Sequence, residues 1–436
     1  MSAPVIEADL TWTGEGFTAG AQVAVADDGR IAAVGALGRQ ATRRLTRVAL
    51  LPGFVDTHSH AFQRGLRGSG ERFPAGAGSF WTWREAMYAL VGSLDRESLH
   101  RVSVQAFGEM RDAGVTTVGE FHYVHHQREG DFALDQVVLA AAAAVGIRIV
   151  FLNTFYATGA PGKPLQGAQC RFATPSVEAY WRRMDLLAAG LDPLTQSLGA
   201  VAHSIRAASP EQIRAIHEEA MRRGLPFHMH VEEQRREIEE SAAAYGRTPM
   251  KVILDTLDVR DNFTAVHCTH TSDTDMRRFL EAGGMVCLCP LTEANLGDGI
   301  PHLALPHAAR GRLALGTDSN NRLSLLEEMR WLEYGQRLSG EMRGALADDG
   351  GQVATTALAA ATTGGARALG LDAGRIAPGA WADFVAIDLT APCLAGIGPD
   401  RLLEALIFGA GNEVISGTFV GGRWRATGAD AGPVRR

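Results

Sequence analysis

The stretch "GFVDTHSHAFQRG", from Gly53 to Gly65, places two histidines one residue apart at the end of an apolar run. Residues i and i+2 of a β-strand point to the same side, so His58 and His60 can bind one metal ion from a single strand. The motif is weak by itself, because two polar residues can also simply close a strand. Its meaning depends on whether other strands end in metal ligands.

The middle of the chain repeats the same pattern, a short apolar run that ends in polar side chains. The runs span residues 49–60, 115–123, 147–156, 197–206, 225–233, 262–270, 284–295 and 312–321. An amphipathic helical stretch separates most of them, and strands that alternate with helices predict a parallel sheet. Eight such units predict an α/β fold with a closed (β/α)8 TIM-like barrel. The alternative is an open doubly wound sheet, which usually carries a Gly-rich phosphate turn that this sequence lacks.

The residue pattern at the two ends of the chain differs from that of the middle and predicts short strands without intervening helices. "AQVAVADDGRIAAVGA" (21–36) has two alternating runs around Asp28-Gly29, which predicts a β-hairpin. "ADFVAIDL" (382–389) and "NEVISGTFVGGRWR" (412–425) also indicate short strands with glycine turns. We therefore predict a small β-sandwich domain built from residues 1–48 and 372–436, and a barrel over residues 49–371.

Composition excludes several classes of partner. The 436 residues carry a net charge of −7 and contain no Lys/Arg-rich run, so we expect neither nucleic acid nor a membrane surface as a partner. The five cysteines are irregularly spaced, which argues against a disulfide framework and favours the cytoplasm. The first residues have neither a basic start nor an apolar core, so we expect no signal peptide.

The polar residues of the middle segment collect at the C-terminal ends of the apolar runs. In a barrel these ends meet at one face, where active sites lie. They are His58, His60, Glu120, His122, His203, Arg206, His230, Glu233, His267 and Asp318. Three imidazoles and one carboxylate suit zinc, with water completing its coordination. The predicted metal ligands are His58, His60, His230 and Asp318. A structural zinc site would usually use cysteines, so a catalytic ion is favoured.

A single ion is the simpler prediction. Two-metal sites on this architecture often use a carbamylated lysine at the end of the fourth strand, where this chain reads "AVAHSIR". The only lysines are Lys163 and Lys251, which lie in a predicted loop and a predicted helix.

The remaining histidines have simpler interpretations. His228 is expected to be a hydrogen-bonded core side chain, and His125 and His126 are expected in a loop or behind the ligands. Three others are expected at surface or loop positions: His217, His302 and His307.

These motifs resemble those of the amidohydrolase superfamily. "LPGFVDTHSH" (51–60), a histidine on strands five and six, and "ALGTDSN" (314–320) on strand eight carry the resemblance, and "GRIAPGAWADFVAIDL" (374–389) resembles the return into its small β-domain. Within the superfamily the chain is similar to the formimidoylglutamate deiminases. The stretches concerned are "HSHAFQRG" (58–65), "SFWTWREAMY" (79–88), "VGEFHYVHH" (118–126), "AHSIRA" (202–207), "HMHVEEQ" (228–234), "CPLTEANLGDGI" (289–300) and "EEMRWLEYGQRL" (327–338). One departure is "TDSNN", where relatives often have a histidine, and it affects a loop contact near Asn320.

The resemblance implies a reaction and a role for each residue. The substrate would be N-formimino-L-glutamate, an intermediate of histidine degradation, hydrolysed to N-formyl-L-glutamate and ammonia. His267 would hold the attacking water and accept its proton, Glu233 would pair with the cationic amidine, and Asp318 would also pass a proton to ammonia. The glutamyl part would be held by Gln63, Arg84, Tyr123, His203 and Arg206. The family also implies one Zn²⁺ per chain, with Fe²⁺ as an alternative, and a homodimer.

Two other functions stay open. A different deaminase of the superfamily, acting on a purine or another amidine, would share metal and fold. Such rings usually need a stacking pocket, so Arg84 and Arg206 argue against it, although Arg84 could instead be a buried salt-bridge partner. A catalytically silent binding protein is the second alternative, and the presence of every expected ligand argues against it.

Overall fold

The computed structural model describes residues 4–73, 76, 78–303 and 310–428, and His307 lies outside them. The strands are β1 (Val5–Trp12), β2 (Phe17–Ala19), β3 (Gln22–Val25), β4 (Ile31–Gly35), β5 (Arg43–Pro52), β6 (Phe54–Ser59), β7 (Val115–His122), β8 (Arg148–Phe155), β9 (Gln196–Ala202), β10 (Phe227–Val231), β11 (Phe263–His267), β12 (Met285–Leu288), β13 (Leu313–Leu315), β14 (Phe384–Asp388), β15 (Ile415–Val420) and β16 (Arg423–Ala426).

The α-helices of the same residues alternate with the central strands. They are α1 (Phe80–Ser93), α2 (Arg96–Asp112), α3 (Asp135–Val145), α4 (Val177–Ala188), α5 (Pro210–Arg223), α6 (Arg235–Tyr245), α7 (Pro249–Thr256), α8 (Asp273–Glu281), α9 (Pro290–Leu296), α10 (Leu325–Gly340), α11 (Val353–Ala359), α12 (Gly365–Ala368) and α13 (Leu402–Gly409). Short 3₁₀ or π segments are Ala61–Leu66, Gly167–Phe172, Ala360–Gly364, Pro392–Leu394 and Asn412–Val414. In the described part of the chain, no helix is both long and apolar enough to cross a membrane.

The central strands form the predicted barrel. Strands β6 to β13 make one parallel eight-stranded sheet in sequence order. The sheet closes where Ser59, at the end of β6, pairs in parallel with Asp318. At this seam the Asp318 N–H donates to the His58 carbonyl and the His60 N–H donates to the Asp318 carbonyl, both at 2.9 Å. The closure thus brings the first and last predicted metal-binding strands side by side.

Gly316 makes this seam possible. A Cβ atom at Gly316 would lie 2.6 Å from the carbonyl oxygen of His58 and 2.8 Å from its Cβ atom. Any side chain would therefore push β6 away from the residues that follow β13. The glycine is required by the close approach of the two strands.

The second sheet joins the two ends of the chain. Its order is β16-β15-β14-β5-β1-β3-β4, with β2 paired to β1. Strands β1 and β5 are parallel, and the other pairs are antiparallel. Its apolar side packs into a core that includes Ile6, Val23, Leu50 and Phe384. A small β-domain built from both ends is confirmed, with its strands in one continuous sheet.

The first predicted apolar run is two strands, not one. Strand β5 belongs to the small sheet and pairs with β14, whereas β6 begins the barrel after Gly53. The predicted boundary at residue 48 therefore falls within β5. Sequence periodicity misses this division because both strands are apolar and buried at the point where they meet.

The other histidines divide between core and surface. His228 donates from Nε2 to the Ala368 carbonyl at 2.9 Å in the core, as expected. His302 is exposed, also as expected. The surface prediction for His217 is wrong. Its ring is buried on α5, with ring centroids 5.1 Å from Phe227 and 5.6 Å from Phe263.

Candidate metal and active site

Four predicted ligand atoms converge at the closing seam of the barrel. The Nε2 atom of His58 lies 3.1 Å from that of His230 and 3.4 Å from Asp318 Oδ1. The Nε2 atom of His60 lies 3.3 Å from the same Asp318 oxygen. Four donors arranged tetrahedrally about 2.0–2.1 Å from a zinc ion would be about 3.3–3.4 Å apart. These three distances fit a tetrahedral ion, and His58 is shared by a His58, His60 and Asp318 group and a His58, His230 and His267 group.

The far sides of two of the three rings support this fit. Backbone carbonyls face the Nδ1 atoms of two rings: Phe121 at 2.7 Å from His60, and His203 at 3.1 Å from His230. A carbonyl can only accept, so each Nδ1 carries the proton and each Nε2 presents a lone pair to the shared point. Burial and the neighbouring His58 lower the pKa of His60 to about 3. Neutral imidazoles with converging lone pairs are what a divalent cation requires.

A second ion has less support. The residue at the end of β9 is His203, and no lysine stands there to bridge two ions. One cysteine does lie close: a donor atom of Cys289 is within 4.8 Å of donor atoms of His267 and Asp318. This single buried thiol does not make the closed, cysteine-rich arrangement of a structural zinc site.

His267 stands between two carboxylates. Its Nε2 atom is 3.8 Å from Asp318 Oδ2, and its Nδ1 atom is 3.3 Å from Glu293 Oε1. Burial opposes charge on the ring, as would a cation at the neighbouring ligands, whereas the Glu293 hydrogen bond and the charges of Glu233 and Asp318 act to raise the pKa of His267. The backbone is left-handed at both His267 (φ 74°) and Asp318 (φ 47°), a costly conformation that the surroundings must hold.

Glu293 has no counterpart among the predicted site residues. It lies within the quoted stretch "CPLTEANLGDGI", on the first turn of α9 and not at a strand end. In the sequence, Glu293 is recognisable only as an acidic residue near the start of the helix that follows an apolar run. The apolar pattern does not show that its side chain is buried.

One cavity of about 560 Å³ joins these groups to the predicted substrate residues. Its walls are His60, Gln63, Phe80, Trp83, Arg84, Met87, Tyr88, Tyr123, Tyr156, Phe172, His203, Arg206, His230, Glu233, His267, Leu296 and Asp318. Every predicted substrate-binding and proton-carrying residue is in this set, and His58 lies buried behind it. Their individual roles stay predictions. Helix α1 adds an aromatic wall, Phe80, Trp83 and Tyr88, that sequence reasoning did not assign to the site.

Tyr123 is oriented as a donor. Gln63 donates from Nε2 to the Tyr123 hydroxyl oxygen at 2.9 Å. The tyrosine proton is then free to point into the cavity. A buried phenol that already accepts one hydrogen bond is well arranged to donate to a carboxylate ligand.

Arg206 and Glu233 contact each other across the cavity wall. Arg206 is 6% exposed and donates from an Nη atom to Glu233 Oε2 at 3.2 Å, while its Nε has no partner among the described residues. Arg84 is half-buried, with its guanidinium carbon 5.3 Å from the Trp81 ring and 5.1 Å from the Tyr88 ring. Contacts with ring faces do not occupy the Arg84 N–H groups, and the guanidinium is hydrogen-bonded to Tyr156.

The polar residues that end β7 make other contacts. Glu120 accepts from the Ala61 N–H at 2.8 Å, and burial raises its pKa to about 8. His122 and His125 face Asp135 at 3.4 and 2.8 Å. Because Arg183 also donates to Asp135, this buried cluster is already neutralised and needs no metal cation. His125 thus lies behind the site, as predicted.

Asn320, at the departure from the family pattern, is buried under the ligands. Its side chain donates to Ser59 at 3.0 Å and accepts from Thr317 at 2.6 Å. Arg64 donates to its carbonyl at 2.7 Å. The asparagine ties the loop after β13 to the end of β6, between the two ligands of that strand.

Comparison with known proteins agrees with this geometry. The model described as Amidohydrolase family matches residues 49–425 of the chain. The chain belongs to this family. The matched residues include the whole eight-stranded barrel and the candidate ligands at the C-terminal ends of its strands. The chain is therefore a hydrolase by family, and its His and Asp groups could hold a divalent ion.

Individual relatives cover nearly the whole chain. Formimidoylglutamate deiminase of Pseudomonas aeruginosa is 39% identical over 387 residues, which cover 86% of this chain and 84% of that protein. A crystal structure of an amidohydrolase from Brucella melitensis aligns with a TM-score of 0.85 and 31% identity, covering 97% and 96% of the two chains. An adenosine deaminase from Xanthomonas campestris with bound zinc aligns with a TM-score of 0.81 and 25% identity, covering 98% and 93%.

Proposed function

We propose that this chain hydrolyses N-formimino-L-glutamate to N-formyl-L-glutamate and ammonia, a step of histidine degradation. The observation that carries the proposal is the composition of one cavity wall. Arg84 and Arg206 line the same cavity as His267, Glu233 and Asp318. A substrate with two carboxylates and a cationic amidine is complementary to both sets, because guanidinium binds carboxylate and carboxylate binds amidinium. The deiminase from Pseudomonas aeruginosa, similar over most of both chains, supports the same assignment.

The binding part of the proposal follows from the contacts. Arg206 gives up its bond to Glu233 when a substrate carboxylate arrives, and Glu233 then pairs with the amidinium. The exchange replaces one internal ion pair by two pairs with the ligand, so neither buried charge is left without a partner. Tyr123 and His203 complete the wall around the glutamyl group.

The chemical step removes both protons of the attacking water: one goes to the nitrogen that leaves the cationic amidine as ammonia, and the other is released. Water adds through oxygen to the formimino carbon, the bond from that carbon to the terminal nitrogen breaks, and the nitrogen leaves as ammonia. The Nε2 atom of His267 faces the reaction centre and accepts the water proton. Glu233 and Asp318 line the same cavity as His267 and donate a proton to the departing nitrogen. General acid–base groups of this kind contribute about 10²- to 10⁴-fold each.

The metal of the proposal is Zn²⁺, one ion per chain, with Fe²⁺ as the alternative. His58, His60, His230 and Asp318 would hold it, and their donor spacing supports this. Such an ion supplies a positive charge that lowers the pKa of water toward about 7 and so makes hydroxide available at neutral pH.

Two measurements test the proposal together. Elemental analysis of the purified protein should find about one divalent ion per chain, and the metal-loaded protein should release ammonia from formiminoglutamate. Two fully occupied ions joined by a side chain would contradict the single-ion site. Absence of ammonia release from the metal-loaded protein would contradict the substrate assignment.

A deaminase of aromatic rings is the second candidate. The aromatic wall of α1 supports it, together with Phe172 from the same cavity, since such rings could stack on a purine. The zinc-containing adenosine deaminase that shares the fold supports it as well. Adenosine assayed beside formiminoglutamate separates the two, and a comparable kcat/KM on adenosine would favour this candidate.

We also infer a homodimer in the cytoplasm. The location is supported by the five cysteines, which are all unpaired, with Cys170 and Cys393 exposed. Light scattering after size exclusion should give about twice the chain mass of 46.5 kDa. A monomer over the working concentration range would contradict the dimer.

A further inference from the structure

We propose that Glu293 is the positioning residue of His267: its carboxylate accepts a hydrogen bond from the Nδ1–H of the ring and thereby leaves the Nε2 lone pair at the reaction centre. This inference rests on the role proposed for His267 in the hydrolysis. It concerns a residue of α9 that touches neither the predicted ligands nor the predicted substrate.

The carboxylate is placed to fix one tautomer of the ring. Glu293 Oε1 lies 3.3 Å from His267 Nδ1 and also accepts the Cys289 N–H at 3.0 Å. An ionised carboxylate can only accept, so Nδ1 must carry the proton. The other ring nitrogen, Nε2, then has a lone pair on the side of Asp318. The opposite tautomer would leave the buried Glu293 oxygen facing a lone pair, and a ring flip would leave it facing a C–H group.

The carboxylate itself is held rigidly. Glu293 is 3% exposed, and its bond to the Cys289 N–H ties it to the start of its own helix. The next contact on this turn is made by Thr292, which donates to the Thr317 carbonyl at 3.1 Å. Adjacent residues of α9 therefore contact His267 and the residue before Asp318. His267 itself and Asp318, which follows Thr317, are among the residues whose backbone is left-handed, so these contacts support strained positions.

Glu328, on α10, provides a matched control because it contacts the same turn of α9. It is a second buried carboxylate, and it accepts the Leu291 N–H at 2.9 Å on the first turn of α9. Removing either carboxylate deprives this turn of one hydrogen bond to a backbone N–H. Only Glu293 also reaches His267, so any difference between the two variants reports that contact.

The test compares Glu293→Leu, Glu293→Gln and Glu328→Leu in the metal-loaded protein. We expect Glu293→Leu to lower kcat by about 10–100-fold, the range of outer partners that orient a histidine, with KM and metal content nearly unchanged. Glu293→Gln should recover most of the loss. One oxygen accepts both hydrogen bonds, so an amide oxygen can replace it without reversing the tautomer. Glu328→Leu should lower Tm by a similar amount to Glu293→Leu but keep kcat within about threefold.

A spectroscopic readout separates this inference from the proposed function. The His267 Nδ1 proton, bonded to a buried carboxylate, should give a downfield imidazole NMR signal that His267→Ala and Glu293→Leu both remove and Glu328→Leu retains. That signal does not depend on turnover. A wild-type protein that is inactive on formiminoglutamate would therefore refute the substrate assignment but not the Glu293–His267 contact. Retention of the signal or of kcat in Glu293→Leu would overturn the inference. An equal loss of kcat in Glu328→Leu would overturn it as well.

Discussion

Arg206→Met should weaken recognition of the substrate far more than an ordinary surface substitution. Arg206 is 6% exposed and contacts Glu233 at 3.2 Å. Its truncation leaves a substrate carboxylate without its partner in a desolvated place, a loss of about 2–5 kcal/mol. At about 1.4 kcal/mol per factor of ten, kcat/KM should fall by roughly 30- to 5,000-fold. Arg84→Met should also cost at least about 30-fold, and less than Arg206→Met, because Arg84 is only half-buried.

The assay uses three substrates to locate the effect. Formiminoglutamate carries both carboxylates, formiminoglycine keeps only the one next to nitrogen, and 4-formimidoylaminobutyrate keeps only the distant one. The arginine that binds a given carboxylate should matter only for substrates that contain it. Arg183→Met is the matched control, because Arg183 pairs with buried Asp135 at 2.9 Å outside the cavity. It should lower Tm and leave kcat/KM unchanged.

Two outcomes would refute this reasoning. A kcat/KM for Arg206→Met within threefold of the wild-type value would mean that no substrate carboxylate pairs with this guanidinium. An equal loss on all three substrates would mean that Arg206 acts only by holding Glu233.

Further variants test the proton carrier, the barrel seam and a buried histidine. His267→Ala should lower kcat by about 10²-fold or more and keep the metal, and near-normal turnover would refute its role. Gly316→Ala should displace His58, lowering metal content and costing about 1–3 kcal/mol of stability, whereas Gly311→Ala, where an added methyl meets open space, should do neither. Burial lowers the pKa of His217 to about 4, so the unfolded state takes up its proton first as the pH falls below about 6.5. The free energy of unfolding should therefore drop by up to about 3 kcal/mol between pH 6.5 and 4, and denaturant titrations should show a smaller drop for His217→Leu; an identical drop would contradict this.

The sequence by itself determined the architecture and the donor set. Apolar runs that alternate with amphipathic helices can be buried only as a parallel sheet covered by helices, and eight of them close a barrel. Because the carboxyl ends of such strands meet at one face, His58, His230 and Asp318 could be placed together although they are far apart in the chain. The same rule brought Arg206 and His267 to that face.

The tertiary structure decided which side chains touch. Periodicity reports the face of an element that is buried, but not what lies opposite, so it gave no sign that Arg206 contacts Glu233 or that His217 packs between two phenylalanines. The contact of Glu293 with His267 could not be predicted for the same reason. It forms because α9 begins at the end of β12, and β12 lies beside β11. The division of the first apolar run between β5 and β6 also depends on pairing partners, β14 for one and β7 for the other. Such contacts join elements distant in sequence, and their geometry exists only once the barrel has closed.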